Sequence, residues 1–403
     1  MVEAAHFAYG SLVVKTLSDF VVFKDARLAR EASRKKLAMS TLFEAYLDEA
    51  VEIPDLDGFL DAREGLVDYR LTLAHVRQLA FSMVPEWTRH TLAEDTRLVR
   101  GHYDRGDDFF EAFLGPRMVY TSGIFHDETQ SLEDGQDNKL ELVCQKLGLA
   151  SGDELLDIGC GWGTLALYAT KTYGARTTGV TLSQNQTAFG NARIAREGFA
   201  GRAHIECLDY RQIPEKRFDR IVSLEMVEHV GLKHLGAFFE LVSRRLKDDG
   251  LFLLQFAGLR RGGGLGVPPI GMRPEDMIWG LFMNKYIFPG ADASPPLSSM
   301  LRAMERAGFG VHSVENISIH YSLTIRRWHE NWQRNASAIK RTYGERWYRL
   351  WHFFLAWSWR IGAQGNSECF QVLAHKNLDG FERKIFLPGG LFARPVRRPP
   401  RAA

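Results

Sequence analysis

Cysteine is scarce in this chain: four in 403 residues, at positions 144, 160, 207 and 369. They form no CxxC pair and no Cys/His cluster, so neither a zinc site nor a disulfide framework is indicated. That usage fits a reducing compartment. Long apolar runs are missing too. The most apolar stretches, Leu71–Trp87 and Phe353–Trp359, are short or broken by charge, below the ~20 residues a membrane span needs. No basic-then-apolar layout of a signal peptide opens the sequence. A cytoplasmic protein, or one held peripherally at a membrane, is therefore expected.

Charge of one sign is also lacking. Fifty-one Lys and Arg meet 49 Asp and Glu, for a net charge of +2. Near balance argues against a dedicated nucleic-acid binder. So does the absence of an Asn/Asp-Pro-Pro-Tyr-like motif for a flipped base. No internal repeat is visible. Basic residues gather only in Arg27–Lys36 and in the Arg/Pro tail Arg394–Arg401. These read as solvated ends or as contacts with an anionic membrane surface.

What remains is an ordinary globular composition, 45% hydrophobic and 25% charged. A chain this long can bury a sizeable core without a staple. Residues 1–100 read as a helical and irregular N-terminal extension. Helix-forming composition covers Leu28–Ala50 and Ala62–Thr91, with Pro85 ending or bending the second helix. Strands and helices then alternate. Strands are expected at Glu154–Ile158, Arg176–Thr181, Ala203–Leu208, Phe218–Leu224 and Gly250–Ala257. Helices are expected at Asn138–Leu147, Thr164–Tyr173, Gln184–Glu197 and Leu235–Leu246. This alternation implies an α/β fold with a parallel sheet covered on both faces. Glycine-rich Arg261–Gly271 reads as a loop or lid hinge.

A second α/β region follows, with a helix at Leu297–Ala307, a strand at Gly310–Ile319 and a helix at Arg326–Lys340. Aromatic residues crowd this part, from Trp328 and Trp332 to Trp357 and Trp359. They read either as helix packing or as the wall of a hydrophobic channel. The domain plan is thus 1–100, a Rossmann-like core over 101–260, a substrate-lid region over 261–385 that completes the core, and a basic tail over 386–403.

The strongest local signal is Leu155-Leu156-Asp157-Ile158-Gly159-Cys160-Gly161-Trp162-Gly163. A strand ends near an acidic residue and turns through Gly159, Gly161 and Gly163 into a helix. Such glycines permit a tight turn and a close ligand approach. The GxGxG spacing differs from a phosphate-binding GxGxxG loop, and Asp157 would repel a pyrophosphate. Asp157 instead suits a cationic amino-acid group, as in the methionine part of S-adenosylmethionine. Where many nucleotide folds carry an acidic residue for ribose, this sequence has Thr181 and Gln186, which can hydrogen-bond ribose or a carboxylate. Tyr210 follows the third strand, where an aromatic ring suits adenine. An ordinary strand-end turn is the alternative there.

With these residues in place, the sequence resembles the cyclopropane-fatty-acid synthase family of methyltransferases. Within it, the sequence looks closest to the fungal sphingolipid C9-methyltransferases. The segments that carry the resemblance include His102–Phe110, Leu114–Gly123, Gln136–Leu140, the glycine loop, Leu224–Gly231, Trp279–Ser294 and His320–Ser322. Similarity runs from about Ser40 to Arg383. The resemblance implies a class I methyltransferase core using S-adenosylmethionine, with no metal. It places Tyr120 and Thr121 over the cofactor, with Gly159, Thr181, Gln186 and Tyr210 around it. It places Glu228 and Tyr321 at the reacting centre.

In cyclopropane synthases a bicarbonate is held at that centre by Cys, His, Glu and Tyr, and takes up a proton. Here Ser122 stands in place of the cysteine and Gln255 in place of the histidine. Bicarbonate use and ring closure are therefore not carried over. Fungal sphingolipid members begin with hydrophobic spans, which this sequence does not show, so anchoring is not carried over either.

The chemistry follows from charge. An alkene π bond attacks the sulfonium-bound methyl, and a carbocation forms beside the new methyl. Loss of a proton from that methyl closes a ring, and loss from a neighbouring carbon leaves a methyl-branched alkene. The site must stabilise a cation, exclude water and supply a base. Glu228 is the expected base or cation stabiliser, oriented by Tyr321; a helix N-terminal charge is its bland alternative. Glu225, three residues before it, could share a helix face with it. The expected substrate is an unsaturated long-chain lipid, chiefly the sphingoid base of a ceramide or glucosylceramide. Cyclopropane-fatty-acyl-phospholipid synthesis and small-molecule N-, O- or C-methylation are the alternatives. A binding protein without turnover is a further alternative, opposed by the intact glycine loop, Glu228 and Tyr321.

Overall fold

The computed structural model describes residues 15–78, 97, 101, 105–259, 273–291 and 295–387. Pro85, the 102–104 stretch, the glycine-rich 261–271 loop, residues 292–294 and the basic tail lie outside the described residues. The protein divides into two compact units, 1–70 and 71–403.

The first unit is built from short pieces. Helices Ala26–Ala32, Met39–Leu47 and Leu56–Leu66 alternate with two-residue strands. Val22–Phe23 pairs antiparallel with Val51–Glu52, and Leu37–Ala38 pairs parallel with Val67–Asp68. The helix-forming composition of Leu28–Ala50 is thus realised as two helices with a strand between them. Asp55 caps the third helix by accepting the Gly58 amide at 2.8 Å, which satisfies an otherwise orphan donor. Leu42, Val51, Phe59 and Leu60 are fully buried and form its core.

The second unit is organised by a seven-stranded sheet. Its strands are β1 (Glu154–Ile158), β2 (Arg176–Thr181), β3 (Ala203–Cys207), β4 (Phe218–Leu224), β5 (Leu246–Leu259), β6 (Phe309–Asn316) and β7 (Ser367–Lys376). Their order is β6-β7-β5-β4-β1-β2-β3. The first five pair parallel. β7 runs antiparallel to both β5 and β6, so the sheet is mixed where the sequence implied a parallel one. Successive residues alternate between faces. Leu156, Ile221 and Leu254 join one buried cluster, and Leu155, Val222 and Leu253 join the other. Both faces are thus covered, which explains the near-continuous apolar runs of these strands.

Ten helices among the described residues of this unit precede, connect or flank these strands. They are α1 (Asp107–Leu114), α2 (Leu132–Lys146), α3 (Thr164–Tyr173), α4 (Gln184–Arg196), α5 (Leu235–Arg245), α6 (Pro274–Phe282), α7 (Leu297–Arg306), α8 (Ser318–Arg334), α9 (Ala336–Tyr343) and α10 (Glu345–Ala363). α5 lays Phe238, Phe239 and Val242 against the sheet. α8 and α10 carry the crowded aromatics, and Trp328, Trp332, Trp351 and Trp357 are fully buried. Ring centroids of Phe109, Trp332 and Trp351 lie 5.0–5.9 Å apart in edge-on or tilted contacts, the geometry aromatic pairs prefer. Helix packing is therefore what most of these rings do.

Candidate active site

The backbone leaves β1 to one side, through β2 and β3, and returns on the other side to β4. The carboxyl ends of β1 and β4 thus bound a topological switch point, where open α/β sheets bind ligands. A cavity opens there. Its wall includes Tyr120, Thr121, Lys139, Asp157, Gly159, Gly161, Thr181, Gln186, Tyr210, Glu225 and His229.

The glycine loop is shaped by its backbone. Gly159, Gly161 and Gly163 all take positive φ, at 82°, 54° and 73°. A Cβ on Gly159 would meet Met226 Cγ at 2.5 Å, and one on Gly163 would run into Ile205. A Cβ on Gly161 would meet nothing within 4 Å, so that amide edge faces open space. The loop is pinned by the Gly159 and Cys160 amides, which donate to the Val180 carbonyl at 2.9 and 3.1 Å. Across the cavity Thr181 Oγ1 donates to Gln186 Oε1 at 2.6 Å. Tyr210 packs edge-on against Phe238, with centroids 5.3 Å apart.

Asp157 is buried, and desolvation pushes its carboxyl up to about 7, opposed by Lys139. Lys139 is itself a fully enclosed lysine on α2, lowered to about 8 by burial. Its Nζ donates to Thr121 Oγ1 at 2.8 Å. A buried carboxylate and a buried ammonium at one cavity form a matched pair for a ligand carrying both an amino and a carboxylate group. The residues therefore fit S-adenosylmethionine, whose methionine end has that charge pattern. Lys139 was not singled out from the sequence, because lysines are rarely fully buried.

A second group of residues adjoins the cofactor wall. Its centre is Glu225, immediately after β4. Glu225 has φ 54°, one of three non-glycine residues with positive φ among those described. Its Oε1 accepts the Ser122 amide at 2.9 Å and Gln255 Nε2 at 2.5 Å. Cys369 Sγ lies 3.8 Å from the same oxygen. The Tyr321 phenol bears on this carboxylate too, and its hydroxyl favours the charged form. Burial raises the Glu225 carboxyl, and these donors together with Lys139 oppose that rise.

This differs from the expected partnership of Tyr321 with Glu228. Glu228 lies in a single 3-10 turn, Val227–His229, so it shares no helix face with Glu225. Its Oε1 accepts the Ala257 amide at 2.6 Å, and its buried Oε2 has no hydrogen-bond partner among the described residues. Desolvation, with help from the Glu225 charge, pushes its carboxyl up to about 8. Glu228 does not line the cofactor cavity. Ser122 contributes through its backbone amide, while its hydroxyl donates to the Gly123 carbonyl at 2.9 Å. Ser122, Gln255 and Tyr321 thus converge as the sequence suggested, but on Glu225. The signal that could have identified Glu225 was its position one residue past a strand, ahead of a turn.

Aromatic rings back this corner. Tyr120 packs against Phe110, Phe113, Phe288 and Trp328, with centroids 5.4–6.0 Å away. Trp328 in turn meets Tyr321 at 6.2 Å. No cluster of three or more His, Cys, Asp or Glu suited to a metal occurs among the described residues. No described helix is long and apolar enough to cross a membrane.

Comparison with known proteins agrees with this layout. The family model described as mycolic acid cyclopropane synthetase matches residues 90–372. Sphingolipid C9-methyltransferase 2 of Gibberella zeae is 45% identical over 380 residues, 91% of this chain and 71% of that protein. Sphingolipid C9-methyltransferase of Komagataella phaffii is 44% identical over 381 residues, 91% of this chain and 76% of that protein. The crystal structure of mycolic acid cyclopropane synthase CmaA1, complexed with SAH and CTAB, superposes with a TM-score of 0.66. It is 29% identical and covers 70% of this chain and 98% of its own. Glycine loop, switch-point cavity and these matches together place the protein in the mycolic acid cyclopropane synthetase family, as an S-adenosylmethionine-dependent methyltransferase.

Proposed function

We propose that this protein adds a methyl group to a carbon–carbon double bond of a long-chain lipid, the sphingoid base of a ceramide or glucosylceramide, at C9. The observation that carries this reading is the corner beyond the cofactor wall. There buried carboxylates stand beside an aromatic cluster of Tyr120, Phe288 and Trp328. An amine or alcohol substrate calls for a compact polar pocket. An alkene calls for what is present: rings and carboxylates to stabilise a cation, and apolar walls to exclude water. The names of the fungal relatives support the sphingoid base as substrate.

In this reading Asp157, Lys139, Gly159, Gly161, Gly163, Thr181, Gln186 and Tyr210 hold the cofactor, with Tyr120 and Thr121 over it. The cofactor supplies an electrophilic methyl group on a sulfonium. Ser122, Gln255 and Tyr321 organise the reacting corner, and Glu228 stands beside Glu225 as a second buried acid. The replacement of cysteine and histidine by Ser122 and Gln255 favours a methyl-branched alkene over a cyclopropane. Contact with a membrane surface is assigned to the basic Arg27–Lys36 segment, where Arg27, Arg30, Arg34 and Lys35, with Glu31 among them, border one surface hollow; anionic headgroups suit such a patch.

Mass spectrometry of lipids from a host expressing the protein, supplied with Δ8-unsaturated ceramides and unsaturated phospholipids, tests the reading. A gain of one methylene unit on the sphingoid base with the double bond retained is the expected result. The same gain on phospholipid acyl groups with the double bond lost would assign cyclopropane synthesis instead. No lipid change with the cofactor bound would assign a small-molecule substrate.

A further inference from the structure

Glu225 is the one carboxylate of the reacting corner on the cofactor-cavity wall, yet it lies outside the residues assigned above. Its backbone takes a conformation that residues other than glycine rarely adopt. The Glu225 amide donates to the Gln255 carbonyl at 2.7 Å and holds it there. Backbone strain of this kind persists where surrounding structure over-determines it.

The hydrogen bonds around it have a fixed direction. At the far end of a buried row, Lys146 on α2 donates to Gln371 Oε1 at 2.6 Å. Gln371 therefore turns its Nε2 to Gln255 Oε1, at 2.8 Å. Gln255 must then turn its own Nε2 to Glu225 Oε1. An amide alone can face either way, but a lysine only donates. The row thus runs one way, from Lys146 through two glutamines on adjacent strands, and it ends on an acceptor. Lys146 is held at its origin by Glu315 at 2.7 Å. The Ser122 amide is a second donor to the same oxygen.

From this geometry we infer that Glu225, through its Oε2, is the group that takes the proton from the methylated lipid. The inference rests on the C-methylation reading. The Ser122 amide, Gln255 Nε2 and Cys369 Sγ all bear on Oε1, the Tyr321 hydroxyl bears on the same carboxylate, and the step uses the other carboxylate oxygen, Oε2. In the step, the alkene π pair forms the new C–C bond as the sulfonium–methyl bond breaks, leaving a cation on the adjacent lipid carbon. A neighbouring C–H bond then breaks. Its electron pair forms the new double bond, and its proton goes to Glu225 Oε2. No oxidant or further reactant is needed. Glu228 is less suited, since it is off the cavity wall and held by the Ala257 amide. The charged and titratable neighbours of Glu225 are Lys139, Tyr321, Cys369 and Glu228.

The test uses the full-length protein, S-adenosylmethionine and vesicles carrying a Δ8-unsaturated ceramide. Glu225→Gln is expected to lower methylated-lipid formation about 100-fold or more, while the calorimetric affinity for S-adenosylhomocysteine stays within about threefold of the wild type. Glu225→Asp, which restores a carboxylate, is expected to recover part of the rate, with an acidic limb in its pH profile that the Gln variant lacks. Two results overturn the assignment. One is a Gln variant with wild-type rate and pH profile, the loss falling on Glu228→Gln instead. The other is Asp and Gln variants that bind the cofactor and are equally inactive, which would give Glu225 a shaping role. A wild-type protein that binds the cofactor and methylates no lipid is a separate outcome; it removes the C-methylation reading itself, whatever the variants do.

Discussion

Cofactor affinity should fall as pH drops from 8 to 6, because Asp157 is buried and its carboxyl is pushed up to about 7. The cofactor's amino group is a cation and pairs with the charged carboxylate. With a value near 7, about nine-tenths of the Asp157 sites are ionised at pH 8 and about one-tenth at pH 6, a tenfold effect; Lys139, at about 8, gains charge over the same range and offsets it about twofold, so the apparent Kd weakens about fivefold, or roughly 1 kcal/mol. The sign is fixed: a raised carboxyl is protonated on the acid side, and protonation removes the partner of the amino group. Titration calorimetry with S-adenosylhomocysteine at the two pH values measures this, since the product keeps the amino group. His229 and Glu225 share the wall, so Asp157→Asn is the control. That variant should bind weakly at both pH values and lose most of the dependence. Equal wild-type affinity at the two pH values would refute the pairing, as would an Asn variant with an undiminished slope.

Other outcomes follow from the same groups. In the ligand-free protein Asp157 and Glu228 are raised to about 7 and about 8, so both erode stability as pH climbs from about 4 to 8; Lys139, lowered to about 8, returns stability above that. Thermal melts of the ligand-free protein should therefore show a minimum near pH 8, shallower with cofactor present. Gly159→Ala puts a methyl 2.5 Å from Met226 Cγ at φ 82°, so a loss above about 1 kcal/mol in denaturant melts and weaker cofactor binding are expected. Gln371→Leu interrupts the row between Lys146 and Gln255. It should cost about 1–3 kcal/mol of stability and lower kcat more than it raises KM. Added or depleted bicarbonate should leave the wild-type rate unchanged, because the Ser122 and Gln255 donors are already engaged by Glu225.

Much of the sheet could be read in the sequence because its signals are local. Glu154–Ile158, Thr164–Tyr173, Arg176–Thr181 and Phe218–Leu224 match the expected spans residue for residue. Their apolar runs are bounded by glycine or polar turns, and the period changes from strand to helix. β7 was not legible. It pairs with β6 across three intervening helices and with β5 across more than a hundred residues, and nothing within Ser367–Lys376 announces an antiparallel partner. The cofactor loop was legible for the opposite reason, since glycine spacing and strand-to-helix context lie in one contiguous segment. The reacting corner mixes both cases. Ser122, Gln255 and Tyr321 could be named from motifs, but what they converge on depends on a turn after β4 and on Lys146 and Gln371, which are distant in sequence and unremarkable by composition.

The buried charges also suggest how the parts work as one. Asp157 and Glu225 both act on the buried ammonium of Lys139, Glu228 lies beside Glu225, and burial raises all three carboxyls. Such an excess of buried acid is costly when nothing cationic is present. In the proposed reaction positive charge is present until the final step, first on the cofactor and then on the lipid carbon. Fixed carboxylates favour both states and need no rearrangement between them. The charge disappears only when a proton reaches Glu225. Neutralising Glu225 also weakens its hold on Glu228, because the Glu225 charge is part of what raises the Glu228 carboxyl. The two acids are therefore coupled, and a pH–rate profile will report them as a pair. That is why the Glu225→Gln and Glu228→Gln variants have to be compared side by side, with cofactor affinity measured for each.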